Sequence, residues 1–217
     1  WFTFYKFIKT ANDIIATVGH PTAEGLTDYQ KGAAGIARAY RAFNYYMLTV
    51  LFEPKANIYT DCSSVLGLTV PFVTDSTTND IAKNNPRATR EEMFTFILSD
   101  LDKAEEYIVN YKEKNNTMPH LDCVYGLKAR LYMWVEDYAN AAVYARKAID
   151  ESATDPMTET ECLSTKTGFN DASKWMWGSE MTSEDGCVQT GIINWVSFLS
   201  NEHTFGYASS SAGAHIM

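Results

Sequence analysis

The sequence lacks the features that define several common classes of protein. A helix needs at least about 18 consecutive apolar residues to span a bilayer, and the sequence contains no such run. Neither a glycine-rich nucleotide-binding motif nor a G-x-S-x-G nucleophile motif is present. The net charge is −9 and no basic stripe exists, which argues against nucleic acid and anionic membranes as partners. These absences favour a binding or scaffolding protein over an enzyme.

Residues that commonly bind metals are sparse and scattered. The four histidines are isolated, no C-x-x-C or H-E-x-x-H pair occurs, and we predict no metal or cofactor. Asp75, Asn79 and Asp80 supply oxygen ligands that suit calcium, although their loop lacks the regular ligand alternation of known calcium loops. A pair of glycosidase carboxylates cannot be chosen from spacing alone.

The cysteines are also few, and their spacing is irregular. They are Cys62, Cys123, Cys162 and Cys187. We interpret them as free thiols that pack as small apolar side chains, with a Cys162–Cys187 disulfide as an open alternative.

Apolar residues recur at helical spacing over much of the chain, and 46% of the residues are hydrophobic. The pattern predicts helices over residues 1–18, 26–52, 89–112, 122–135 and 138–151. Thr89 and Glu92 form a capping box, which marks the start of the third helix. Arg38 and Arg41, on the second helix, are expected to form structural ion pairs. The small residues from Gly32 to Gly35 predict close helix packing.

Proline, glycine and polar residues interrupt the pattern between residues 53 and 88. A connection of this length inside a helical domain is usually functional or disordered, and its apolar content favours order. The run LGLTVPFV (66–73) is expected to form a strand or a tightly held loop.

The segment YGLKARLYMWVEDYANAAVYARKAID (125–150) predicts an antiparallel helix hairpin, since only Glu136 and Asp137 separate its two helices. We expect Gly126 and Ala129 to allow close packing and Tyr132 and Tyr144 to fill the gaps. The inward face of the second helix is predicted to comprise Ala141, Ala142, Ala145, Ala148 and Ile149.

This hairpin resembles a tetratricopeptide (TPR) repeat. Tyr125, Ala129, Tyr132, Ala141 and Ala148 take the aromatic and small positions of the repeat, whereas Glu136 replaces its usual turn glycine. Because a stack of such pairs needs about three repeats and polar caps, we expect the chain to be part of a longer protein.

The helical pattern stops after Ala153. We therefore predict a mainly α fold, in which TPR-like hairpins of residues 1–153 stack in a superhelix and residues 154–217 begin a loop-rich irregular lobe. A short strand is predicted from Lys174 to Gly178.

The loop-rich lobe contains aromatic side chains interleaved with polar ones, a combination that suits sugars because pyranose C–H faces stack on aromatic rings and hydroxyls bind polar groups. The candidate ligand-binding residues are Trp195, Phe198, Asn201, His203, Phe205 and Tyr207. The alternative is that these aromatic residues only fasten the lobe to the helices.

Four segments, taken together in this order and spacing, resemble the SusD/RagB-like nutrient-binding lipoproteins of Bacteroidetes. They are GIARAYRAFNYYMLTVLFEP (35–54), PRATREEMFTFILSDLDKAEEYI (86–108), the hairpin at 125–150 and SKWMWGSEM (173–181). The last departs from the family's commoner Trp-Glu-Ile, since Gly178 and Ser179 follow Trp177.

The resemblance implies a non-enzymatic surface lipoprotein of the outer membrane. Such a protein binds glycans, or sometimes peptides, and passes them to a TonB-dependent transporter. The helical half is implied to face the transporter and the loop-rich side to bind the ligand. We expect the protein to be attached to the membrane only by a lipid anchor, which lies outside this chain. A TPR scaffold that binds a protein or peptide partner is the alternative function.

Overall fold

Among the residues that the structure describes, the regular secondary structure is helical. The structure is a computed structural model that describes residues 1–18, 25–111, 115–166, 168 and 171–179. The described helices are α1 (Phe2–Val18), α2 (Asp28–Phe52), α3 (Asn79–Lys83), α4 (Arg90–Ile108), α5 (Leu121–Trp134), α6 (Tyr138–Glu151) and α7 (Glu159–Cys162), with 3-10 turns at Ser63–Val65 and Ala172–Lys174. The predicted mainly α class is confirmed. No described helix is both long and apolar enough to cross a membrane.

The chain divides into two compact units, Trp1–Ala153 and a second that begins at Thr154. In the first unit, α1 packs on α2, α2 on α4, α4 on α5, and α5 on α6. Its core includes Ile8 and Ile15 from α1, Leu48 from α2, Leu101 from α4 and Leu131 from α5, each almost entirely buried.

Glycines bring α2 and α4 close together, as the small-residue patch predicted. A Cβ added to Gly32 would lie 2.1 Å from Tyr111 Cδ2, and one added to Gly35 would lie 2.8 Å from Ile108 Cγ1. Both distances are shorter than carbon atoms tolerate, so any larger residue would push the helices apart.

The hairpin of α5 and α6 forms over nearly the predicted residues. Asp137 caps α6 by accepting a hydrogen bond from the Asn140 backbone N–H at 3.1 Å. Glu136 has a φ of 64°, the left-handed conformation that glycine adopts most easily. The rings of Tyr132 and Tyr144 stack at 5.5 Å with an interplanar angle of 11°, which confirms their predicted gap-filling role.

Two details of the predicted packing within this hairpin are wrong. Ala141 and Ala148 are buried, but Ala142, Ala145 and Ile149 are exposed. These three lie on a neighbouring stripe of α6 that α5 does not reach, because a helix contacts one partner along one stripe only. A Cβ on Gly126 would meet no atom within 4 Å, so this glycine is not at a close contact.

Within the 53–88 connection, which also contains α3, the run at 66–73 is a tightly held loop rather than a strand. Backbone bonds join Thr69 N to Ala88 O at 2.7 Å and Ala88 N to Val70 O at 3.2 Å, with one isolated bridge between Leu68 and Thr89. Side chains from two helices hold the run at 71–73 through its carbonyl groups. They are Tyr5 Oη to Pro71 O (2.7 Å), Asn12 Nδ2 to Val73 O (2.9 Å) and Tyr45 Oη to Val73 O (2.9 Å).

The described part of the second unit is short and irregular. Thr158 and Glu161 form a capping box at α7, and Lys174 Nζ lies 2.7 Å from Glu161 Oε1. Hydrogen bonds from Lys174 and from Thr158 lower the pKa of Glu161 to about 2. The predicted strand at Lys174–Gly178 is wrong, since a 3-10 turn ends at Lys174 and the described residues 175–179 contain no strand.

The contact of Trp175 with Gly178 explains this difference. The Trp175 ring lies so close to Gly178 that an added Cβ would be 2.1 Å from its Cε3 atom. Residues three apart in a strand point to opposite faces of a sheet, so this contact requires a turned backbone.

Candidate functional site

The six predicted ligand-binding residues, Trp195, Phe198, Asn201, His203, Phe205 and Tyr207, all lie outside the described residues. Their assignment therefore stays a prediction. Cys187 also lies outside the described residues, so the alternative Cys162–Cys187 disulfide stays untested. Cys123 is a buried thiol that forms no disulfide, and burial raises its pKa to about 12. This state matches the predicted role of Cys123 as a small apolar side chain.

A buried ion network joins α1, α2 and α4. Arg41 donates to both oxygens of Asp100, from Nε at 2.7 Å and from Nη2 at 2.8 Å, while Arg38 Nη1 donates to Asp100 Oδ1 at 2.8 Å. The third Arg41 donor, Nη1, binds Asn12 Oδ1 at 2.8 Å. Burial lowers the pKa of Arg41, but its hydrogen bonds to Asp100 outweigh this effect and the net pKa is raised. The structural role predicted for both arginines is confirmed.

Two of the residues that could supply calcium ligands, Asp75 and Asp80, form ion pairs with basic side chains of the protein. Asp75 Oδ1 lies 3.7 Å from Arg41 Nη1, and Asp80 Oδ1 lies 2.8 Å from Lys83 Nζ. Across the described ranges, no group of three or more His, Cys, Asp or Glu side chains is arranged to hold a metal ion.

A second network binds the long connection to the α5–α6 hairpin. Glu53 is buried just after α2, where its Oε2 accepts hydrogen bonds from Lys55 Nζ at 2.6 Å and Trp134 Nε1 at 3.0 Å. Burial alone would raise the pKa of Glu53. The hydrogen bonds from Lys55 and Trp134 lower it by more, so the pKa is below its ordinary value. Arg90 completes the group, with its guanidinium 4.9 Å above the Trp134 ring.

A third cluster of charged residues is centred on Lys128, and it was not predicted from the sequence. Only 1% of this side chain is exposed, and its ammonium group binds the carboxylates of Asp102 and Glu105. Lys128 also lies 5.0 Å from the centre of the Tyr144 ring. Burial lowers the pKa of Lys128, whereas the two acidic partners raise it and prevail. The sequence signal was available, because Lys128 lies between Tyr125 and Tyr132 on one helical face.

An open groove lies beside these networks, between the start of α4 and the α5–α6 turn. Its volume is about 580 Å³, and its lining residues are Arg90, Glu91, Phe94, Val135, Glu136 and Asp137. It therefore combines an aromatic ring, an arginine and three carboxylates in one concavity.

The chain belongs to the SusD-like family. Residues 1–133 match the family model SusD-like_3, described as "Starch-binding associating with outer membrane". The matched residues extend from α1 almost to the end of α5. No curated protein matches the sequence.

Solved structures share this fold. A SusD-like carbohydrate binding protein from Bacteroides vulgatus is 24% identical, with a TM-score of 0.67 over 84% of this chain and 37% of that one. A protein crystallised with a xylogluco-oligosaccharide is 21% identical, with a TM-score of 0.54 over 79% and 33%.

The surface glycan-binding protein A of Bacteroides fluxus is 19% identical, with a TM-score of 0.55 over 79% of this chain and 33% of that one. The present chain thus spans about a third of the length of these proteins. At such identities, the likeness is one of fold.

Proposed function

We propose that the protein to which this chain belongs binds glycans at the cell surface without modifying them, and delivers them to a TonB-dependent transporter of the outer membrane. The observation that carries this proposal is the family match over residues 1–133, whose description names starch binding and association with the outer membrane. The fold likeness to a protein crystallised with a xylogluco-oligosaccharide supports the same ligand class.

Within this proposal, the helical unit is a rigid support and the loop-rich lobe provides the ligand surface. Trp195 and Tyr207 stack on sugar rings, helped by Phe198 and Phe205, and Asn201 and His203 bind hydroxyl groups. A lipid anchor outside this chain attaches the protein to the outer membrane. The ion networks of the helical unit support its role as a rigid support, because they join α1, α2 and α4 through Asp100 and join α4 to α5 through Lys128.

Isothermal titration calorimetry of the intact protein with xyloglucan and malto-oligosaccharides tests the ligand assignment. Trp195→Ala and Tyr207→Ala should each weaken binding about tenfold, since aromatic stacking contributes about 1 kcal/mol or more. Tyr59→Ala is the control, because Tyr59 is an exposed tyrosine (86%) of the helical unit. Equal affinity in all three variants would overturn the site assignment, and failure of the intact protein to bind any glycan would overturn the function.

The transporter partnership is tested by affinity purification of the intact lipoprotein from detergent-solubilised outer membranes. We expect a TonB-dependent transporter to be recovered in a stoichiometric amount. Its absence under conditions that preserve other membrane complexes would contradict delivery while leaving glycan binding in place.

Peptide binding by a TPR scaffold is the second candidate, and an exposed stripe on α6 favours it. Tyr138 and Ile149 are 60% and 62% exposed, and Ala142 and Ala145 lie between them on the same face. Tight peptide binding together with a blank glycan array would make this the better assignment.

A further inference from the structure

The groove at the start of α4 combines an apolar surface with polar groups of both hydrogen-bonding types. Its volume of about 580 Å³ falls within the range of small-molecule sites, about 300–1,000 Å³. All of its lining residues belong to the first unit, so its geometry depends on one compact body.

Phe94 and Val135 provide the apolar surface. Both are half-buried, and the Phe94 ring is held by Tyr132 at a centroid distance of 5.7 Å and an interplanar angle of 66°. A ring fixed in this way is a preorganised platform, which costs little conformational entropy when a ligand stacks on it.

Arg90 provides the hydrogen-bond donors. Its guanidinium is fixed by the Trp134 ring, by a hydrogen bond from Nη2 to the Trp134 carbonyl, and by Glu53 Oε1 at 3.7 Å from Nε. The group is about one-third exposed, and guanidinium has five N–H donors, so some of them are available to a ligand.

Three carboxylates provide the acceptors. Those of Glu91 and Glu136 are exposed and form no hydrogen bond or ion pair within the described ranges. Asp137 accepts hydrogen bonds from Asn140, which lower the pKa of its carboxyl group.

These groups select the chemistry of the ligand. The three carboxylates would attract a lysine or arginine side chain, but such a side chain has no acceptor for the N–H groups of Arg90. A phosphate or carboxylate would only accept, and three carboxylates would repel it. A sugar hydroxyl both donates and accepts, and a pyranose ring has an apolar C–H face for Phe94.

We propose that this groove binds one sugar unit of a glycan, as a site additional to the aromatic residues predicted between Trp195 and Tyr207. The inference rests on the proposed glycan binding and extends it to the helical unit. The groove is open to solvent, so we expect this site to bind a single sugar unit weakly.

The test is an NMR titration of the intact protein with maltoheptaose and with a xyloglucan heptasaccharide. In a Trp195→Ala/Tyr207→Ala background, we expect either sugar to shift the backbone amide signals of Arg90, Phe94 and Glu136. Adding Glu91→Gln and Glu136→Gln should weaken this binding about fivefold, since each substitution removes a charge-assisted acceptor. The matched control is Glu151→Gln, an exposed carboxylate at the end of α6.

Both glutamates are exposed, so these variants keep the fold, which an unchanged thermal midpoint verifies. If sugars bind the protein but leave the groove signals unshifted, the inference fails while the proposed function stands. If neither the intact protein nor any variant binds sugar, both fail. If a lysine-rich peptide shifts the groove signals and the sugars do not, the groove is a peptide site and the inference is overturned.

Discussion

At the scale of single residues, the sequence indicates which side chains have special roles but not which partners they have. Arg38 and Arg41 were predicted to form ion pairs, yet nothing in the sequence distinguishes Asp100 from the other acidic residues. The partner lies 59 positions from Arg41, and such a pairing depends on how α2 packs on α4. Glu136 is the opposite case, because its place in the turn could be read locally and its φ of 64° follows from that place.

Asp100→Asn should destabilise the protein by about 3–5 kcal/mol, because it removes the carboxylate that hydrogen-bonds the buried guanidinium of Arg41 and leaves it only the more distant Asp75. Urea unfolding followed by circular dichroism measures this loss. The matched control is Asp13→Asn, which removes the exposed partner of Lys9 and should cost less than about 1 kcal/mol. Similar losses in both variants would show that the network around Asp100 contributes no more than a surface pair.

At the scale of secondary-structure elements, helices were predictable because their signals are local. Thr89 and Glu92 marked the start of α4, and the structure contains that capping box. The strand at Lys174–Gly178 was wrongly predicted from a short apolar run, where periodicity does not separate strand from turn. The exposed stripe of α6 was misassigned for a related reason, since small residues around a helix do not reveal which stripe its partner covers.

Gly35→Ala and Gly126→Ala should have opposite effects, although both glycines lie inside helices. At Gly35 the new methyl group would collide with Ile108 and Tyr107 of α4, which should cost about 1–3 kcal/mol. At Gly126 the methyl group enters open space, so the higher helix propensity of alanine should stabilise the protein by about 0.5–1 kcal/mol. Thermal and urea unfolding of the two variants provide the comparison, and the same sign for both would contradict the close approach of α2 and α4.

At the scale of the whole molecule, the fold class and the family could be predicted because they depend on many weak signals spread over the chain. The ligand-binding residues depend on the irregular lobe, where neither periodicity nor capping constrains the backbone. The groove beside α4 was not predicted at all, since its residues come from two segments more than 40 positions apart. Only packing brings Phe94 and Glu136 to one concavity.

A chain that ends at Ala153 should fold by itself and unfold cooperatively. Every buried apolar side chain among the described residues lies between Ile8 and Ala148, so the first unit has its own core. We expect its free energy of unfolding to differ from that of the 217-residue chain by less than about 2 kcal/mol, measured in urea. A non-cooperative transition would show that this core depends on residues after Ala153.

The connection between α2 and α4 contains one segment that the helices bind and another that is exposed to solvent. Its carbonyl groups at Pro71 and Val73 are bound by side chains that belong to the helices. Near its start, Asn57 Oδ1 fixes the tip by accepting from the backbone N–H groups of Tyr59 and Thr60, leaving Ile58 91% exposed. The tip therefore tolerates substitution. Ile58 and Tyr59 can be replaced, in evolution or by design, without changing the contacts that the helices make with Pro71 and Val73.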